Sequence, residues 1–274
     1  MQKSRKLLMS SLSKTTGWPE RTWGNINTPD IARGLVHGKR PLSVYGERDF
    51  FADDSVYIVR ENGLSSDIRH TATPGPIQLN TVVNDDQGKR IRVNYLDGDL
   101  KEKSDIIVID SVNLTSAFDD VVWVNEAYSL DGPLDNDTFG FSLESSSIQF
   151  YITGTISDPL AGIDFRSSVR RVPAGKRIMI NSFYVASSSG TSDARSTVRL
   201  VTSFMNNDSF SEGLSDNDVV NVHPVGSVAL QDSSETISGV GPFAVPEGEY
   251  VAFQAFSDKV TRIAAGYFGW IEDA

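Results

Sequence analysis

Val172-Pro173-Ala174-Gly175-Lys176-Arg177-Ile178-Met179-Ile180-Asn181-Ser182-Phe183-Tyr184-Val185 carries the clearest strand signal in the chain. Pro173 fixes φ and keeps the residue before it extended. Gly175 lets the chain turn. Alternating residues follow, with the period of a half-buried strand. The same grammar returns as Val245-Pro246-Glu247-Gly248-Glu249-Tyr250-Val251-Ala252-Phe253-Gln254-Ala255-Phe256, 73 residues later. These two Pro-x-Gly turns frame a C-terminal β domain.

Working outward, short apolar runs between turn clusters predict strands over most of the chain. They are Val56–Val59, Ile77–Val83, Arg90–Leu96, Asp105–Asp110, Val121–Val124, Phe139–Leu143 and Ile148–Thr153. Downstream they continue at Ser196–Phe204, Val219–Val222, Tyr250–Phe256 and Arg262–Ile271. Ile77–Val83 and Arg90–Leu96 read as a hairpin closed by Asp85-Asp86-Gln87-Gly88. Ile106-Ile107-Val108-Ile109 is a continuous apolar run, the pattern of a strand buried on both faces. Gly266 and Gly269 mark a bulge or a close approach within the last strand. Asp158-Pro159 and Gly162 mark a connector. The expected fold is all-β: an extended basic arm over 1–54, a β-sandwich-like domain over 55–160, and a jelly-roll-like β-sandwich over 161–274.

Charge divides the chain. Residues 1–40 carry eight Lys/Arg against two acids, and the remainder carries 17 basic against 34 acidic residues. An acidic body repels nucleic acid and anionic membrane, and the basic arm is the part able to touch either of them or an acidic protein surface; the expectation is a protein partner, with no membrane and no nucleic acid. The arm also carries spaced aromatics but no period of its own, the profile of a segment that buries side chains on a partner. Arg5, Lys6, Trp18, Arg21, Trp23, Arg33 and Arg40 are the candidate partner-binding residues. Lys3–Met9 imitates the start of a signal peptide, but Ser10-Ser11 and Ser13-Lys14 cut its apolar run short, and synthesis in the cytoplasm is expected.

Catalytic and metal chemistry finds little footing. The chain has no cysteine and three histidines, His37, His70 and His223, without metal-ligand spacing. Gly38-Lys39-Arg40 and Gly175-Lys176-Arg177 lack the remaining P-loop positions. Asp131–Asp137 and Ser215–Asp218 are rich in oxygen ligands but match no EF-hand loop. No catalytic, cofactor or metal residue is assigned. Tyr267, Phe268 and Trp270 would stack on sugar rings where exposed, and on an alternating strand only one face of them is available.

The Val172–Lys176 strand opening, with its small-residue end Ala186–Gly190, resembles a recurring pattern in tailed-bacteriophage virion proteins. In those a similar strand opens a jelly-roll-like domain that closes like Pro242–Gly248 and Tyr267-Phe268-Gly269-Trp270 here. The likeness spans about residues 77–274. It implies a non-enzymatic virion structural protein, capsid-decorating, minor-capsid or head–tail-associated, with major capsid or tail proteins and copies of itself as partners. Two rival readings are a tail fibre or receptor-binding protein that recognises a host glycan, and a carbohydrate-active enzyme.

Overall fold

A computed structural model describes residues 30–31, 36–50, 57–58, 74–80, 87–109, 115–132, 139–143, 149–152, 168–189, 194–203, 222–231 and 234–274. The elements are strands: β1 Lys39–Phe50, β2 Tyr57–Ile58, β3 Gly75–Asn80, β4 Arg90–Asp97, β5 Glu102–Val108, β6 Thr115–Ser129, β7 Phe139–Leu143 and β8 Gln149–Ile152. After them come β9 Arg170–Arg171, β10 Lys176–Ser189, β11 Ser196–Ser203, β12 Val222–Leu230, β13 Ser234–Val245, β14 Tyr250–Ser257 and β15 Thr261–Asp273. Among the described residues the fold is all-β, the class that the short apolar runs between turn clusters predict.

Three antiparallel sheets form. One has the order β1-β15-β10-β13, the second β12-β11-β14-β2 with β9 added beside β14, and the third β5-β4-β6-β3-β7-β8. In the first two sheets the chain changes sheet at each of four successive strand pairs: β1 to β2, β10 to β11, β12 to β13 and β14 to β15. Four strands face four, wrapped pair by pair, which is jelly-roll connectivity. The third sheet is an insert between the second and third strands of that roll.

The sheets cut across the expected domain limits. Lys39–Phe50 falls within the segment read as an arm, yet β1 pairs with β15 over its whole length, from Lys39 opposite Glu272 to Phe50 opposite Thr261. Tyr57 and Ile58 pair with Ala255 and Gln254 of β14, so β2 too belongs to the roll. Val44 and Phe50 of β1, each 1% exposed, enter the same core as Ile178, Phe183, Phe253 and Tyr267. Proline at position 41 and glycine at 46 mask the alternation of β1, because the edge of a sheet tolerates both.

Two further readings are corrected. β3 does not pair with β4: it lies between β6 and β7, and the hairpin partner of β4 is β5. The hairpin turn is instead Asp97–Lys101, where Asp97 Oδ1 accepts the amides of Asp99 (3.0 Å) and Lys101 (2.9 Å). The fifteen-residue β6 then inserts between β4 and β3. The apolar run of β5 is not buried on both faces: Ile107 is 3% exposed but Ile106 is 42% and Val108 50%. Edge strands have a wet side, and β5 is an edge. The connector at 157–163, His70 and the Ser215–Asp218 loop lie outside the described residues.

The strand buried on both faces is β14. Val251, Phe253 and Ala255 point into the roll, where Phe253 meets Phe183 (5.7 Å between centroids) and Tyr267 (6.3 Å). Tyr250 and Ala252 point the other way, into a core shared with Ile91, Val93, Val121 and Trp123 of the insert. Trp123 meets Tyr250 edge to face at 4.8 Å. One strand therefore serves two cores, which is why its sequence shows a run rather than an alternation.

Candidate functional site

The two Pro-x-Gly turns lie side by side. Gly175 and Gly248 both have positive φ, 69° and 76°, which glycine adopts at no steric cost. Val172 N donates to Glu249 O (2.9 Å) and Gly248 N to Val172 O (3.0 Å), while Gly175 N donates to Glu247 Oε2 (2.5 Å). Ala174 N donates to Leu100 O (2.9 Å), so the insert's hairpin turn touches the same point. Glu249 is buried here, and the loss of water pushes its carboxyl up to about 7.

Beside the turns runs the seam between roll and insert. Asn125, on β6, is its centre. Its Oδ1 accepts Trp123 Nε1 (2.9 Å) and Arg171 N (2.9 Å), and its Nδ2 donates to Arg171 O (3.0 Å). Arg170 Nη1 donates to the carbonyls of Asn125 and Val169. Arg171 Nε donates to Gly248 O (3.3 Å), and the guanidinium lies 5.2 Å from the Tyr250 ring centre. Burial holds the pKa of Arg171 below the ordinary arginine value, offset in part by Tyr250.

A cleft of about 300 Å³ opens along the seam. It is lined by Arg170, Arg171 and Ile178, by Asn94, Glu102, Asn125 and Glu126 of the insert, and by Arg40–Ser43 of β1. Arg40 bridges roll to insert through both carboxylate oxygens of Glu102, at 2.6 and 2.8 Å. Glu126 accepts Asn94 Nδ2 at 2.7 Å.

A second feature lies on the outer face of the β1-β15-β10-β13 sheet. Tyr45 and Tyr184 both register opposite Gly266. A Cβ on Gly266 would sit 2.4 Å from both Tyr184 Oη and Val44 O, so the Tyr184 side chain lies down over that glycine. Its ring is 6.4 Å from Tyr45 at 18° and 5.5 Å from Phe268 at 33°. Tyr45 and Phe268 are 39% and 44% exposed. The result is a row of three aromatic rings on a polar sheet face. Tyr267 and Trp270 are fully buried, so of the expected aromatic run only Phe268 is presented.

Of the sequence-predicted partner residues, Arg40 lies in β1 and is held by Glu102 of its own chain. Arg5, Lys6, Trp18, Arg21, Trp23 and Arg33 lie outside the described residues. Sequence reading missed Arg170, Arg171, Asn125 and Tyr184; it counted Tyr45 among the spaced aromatics of the arm, whereas Tyr45 lies on a sheet face of the roll. Gly266 was the one available signal, since an intrastrand glycine marks a close approach without saying what approaches.

No family model matches the chain, and no curated protein matches it. Among solved structures it is similar to the protein of empty cowpea mosaic virus particles (9% identity, 77% of this chain and 88% of that one, TM-score 0.24). Others are the tandem CBM22 domains of Paenibacillus barcinonensis Xyn10C (9%, 84% and 94%, TM-score 0.20) and the infectious bursal disease virus VP2 subviral particle (10%, 86% and 73%, TM-score 0.18). Scores that low carry no argument; the strand order does. It defines an all-β protein of jelly-roll connectivity with an inserted six-stranded sheet.

Proposed function

We propose that the chain is a non-enzymatic structural component of a bacteriophage particle, decorating or completing the capsid or the head–tail region. The observation that carries this reading is the complete jelly-roll wrap, closed by β1 and β15 and widened by an insert. A closed two-sheet roll buries its own core and leaves broad flat faces for packing against neighbours. The basic arm is the anchor on an acidic particle surface, and copies of the chain pack beside one another. The test replaces Arg5, Lys6, Trp18, Arg21, Trp23 and Arg33 together with serine and measures copies per particle. Occupancy falls at least tenfold while the soluble protein keeps its melting temperature. Unchanged occupancy overturns the anchor.

A second reading is favoured by the Tyr45–Tyr184–Phe268 row: recognition of a host-surface glycan. Aromatic faces stack on pyranose rings, and the neighbouring Ser43, Ser182 and Glu47 supply hydrogen-bonding groups. Glycan-array binding that disappears in Phe268→Ala, with the fold intact, supports it. An array without signal removes it.

A further inference from the structure

Arg170 and Arg171 are each 6% exposed. A buried guanidinium is costly unless an opposite charge meets it. Among the described residues no carboxylate lies within ion-pair distance of either. Arg170 is tethered through Nη1 to two backbone carbonyls, and among the described residues its Nε and Nη2 make no hydrogen bond. Arg171 is tethered through Nε, and its Nη1 is buried without a hydrogen-bond partner. Both residues line the seam cleft.

The acids that face the cleft are engaged elsewhere. Glu102 is taken by Arg40, whose Nη2 donates to both carboxylate oxygens, and Glu126 accepts from Asn94. Three arginines against two glutamates leave the lining with one net positive charge, on a body that is otherwise strongly acidic.

We propose that this cleft binds a carboxylate, with Arg170 as its charged donor and the Arg171 charge behind it. A single carboxylate neutralises the lining, whereas a phosphate dianion would overshoot it and meet Glu102 and Glu126. The volume of about 300 Å³ admits one acidic side chain of a partner protein or one small acidic sugar. The site stands independently of the particle assignment above.

The experiment titrates the full-length chain with two probes, sodium glucuronate and the blocked peptide acetyl-Gly-Glu-Gly-amide. Glucose and the Gln peptide are the neutral controls, all at ionic strength matched with sodium chloride. Melting temperature and the ¹⁵Nε–H resonance of Arg170, assigned through its backbone amide, are read together. A carboxylate probe shifts the Arg170 resonance and raises the melting temperature, and its neutral control does neither. Response to glucuronate alone assigns a small acidic ligand, and response to the peptide alone assigns an acidic partner side chain. Glu126→Gln keeps an acceptor for Asn94, removes one repelling charge, and tightens either probe by about three- to tenfold. If neither probe outdoes its control, or if Glu126→Gln leaves the affinity unchanged, the site is overturned.

Discussion

Gly269 and Glu249 show how far one residue reaches. A Cβ at Gly269 would lie 1.9 Å from Met179 O and 2.9 Å from its carbon, both backbone atoms that cannot swing aside. Gly269→Ala must therefore open the β10–β15 ladder, and a loss of about 3 kcal/mol or more is expected in urea denaturation. Glu249 acts through its proton. Its folded-state carboxyl is raised to about 7 from 4.5 by burial, so the folded state holds a proton that the unfolded state releases. Stability therefore falls as pH rises from about 4.5 to 7; a shift of that size corresponds to about 3 kcal/mol, and solvent screening of this partly wet carboxyl leaves a penalty on the order of 2 kcal/mol above pH 7. Depressed carboxyls work in the opposite sense. Burial opposes the ionisation of Asp97 and Glu272, but Lys103 with two backbone amides, and Lys39 with Trp270 and Arg177, outweigh it. Their contribution is lost as pH falls below about 4. The melting temperature should peak near pH 5, and Glu249→Gln should flatten the limb between pH 5 and 7. A wild-type melting temperature that rises across that limb contradicts the assignment.

At the scale of elements, β1 is the informative strand. Its ladder to β15 is continuous, and ion pairs flank it at both ends, Lys39 with Glu272 (2.7 Å) and Arg262 with Asp49 (2.8 Å). Deleting residues through Phe50 strips the roll of an edge strand and two core side chains. Such a variant should lose cooperative thermal unfolding, so the anchoring test uses substitutions in the arm. Lys176–Val185 and Tyr250–Phe256 were legible as strands because burial on one or both faces leaves a periodic or continuous apolar signature. β1 and β13 were not legible. Pro41, Gly46, Gly239, Gly241 and Pro242 interrupt them, and only the long-range pairing with β15 and β10 overrides that local preference. The mispairing of β3 with β4 has a similar origin: a turn signal at Asp85–Gly88 speaks about the local chain, whereas strand order is decided by where β6 lies. The cleft was invisible for a stronger reason. Arg170 and Arg171 look like an ordinary charged pair until Asn125, 45 and 46 positions away, is brought against them.

For the whole molecule, the question is how tightly the insert and the roll act as one body. Trp123, Tyr250, Val169 and Val201 pack into a single cluster across the seam, and Asn125 fixes the backbone of β9 beside it. Trp123→Ala should cost about 3–5 kcal/mol. The loss falls at the seam, so calorimetry should resolve two transitions where the wild type shows one. A single transition, merely lowered, would mean that roll and insert unfold together without this contact. Arg40→Gln should barely move the melting temperature, since an exposed ion pair contributes little.

The edge-to-edge closure of β1 on β15 also imposes an order in time. Asp49 and Arg262 are separated by 213 positions in the chain, and the whole insert is synthesised between them. During translation β1 and β2 emerge long before the strands that will hold them. The hairpin of β4 and β5, and β6 beside it, have partners nearby and can form first. The roll closes only after its last strand has left the ribosome, which places this protein among slow folders of high contact order. For that interval the core side chains of β1, Val44 and Phe50, stay open, and a second nascent chain offers the same β15 edge that the first is waiting for. Exchange of that strand between neighbouring chains is the misassembly this topology invites.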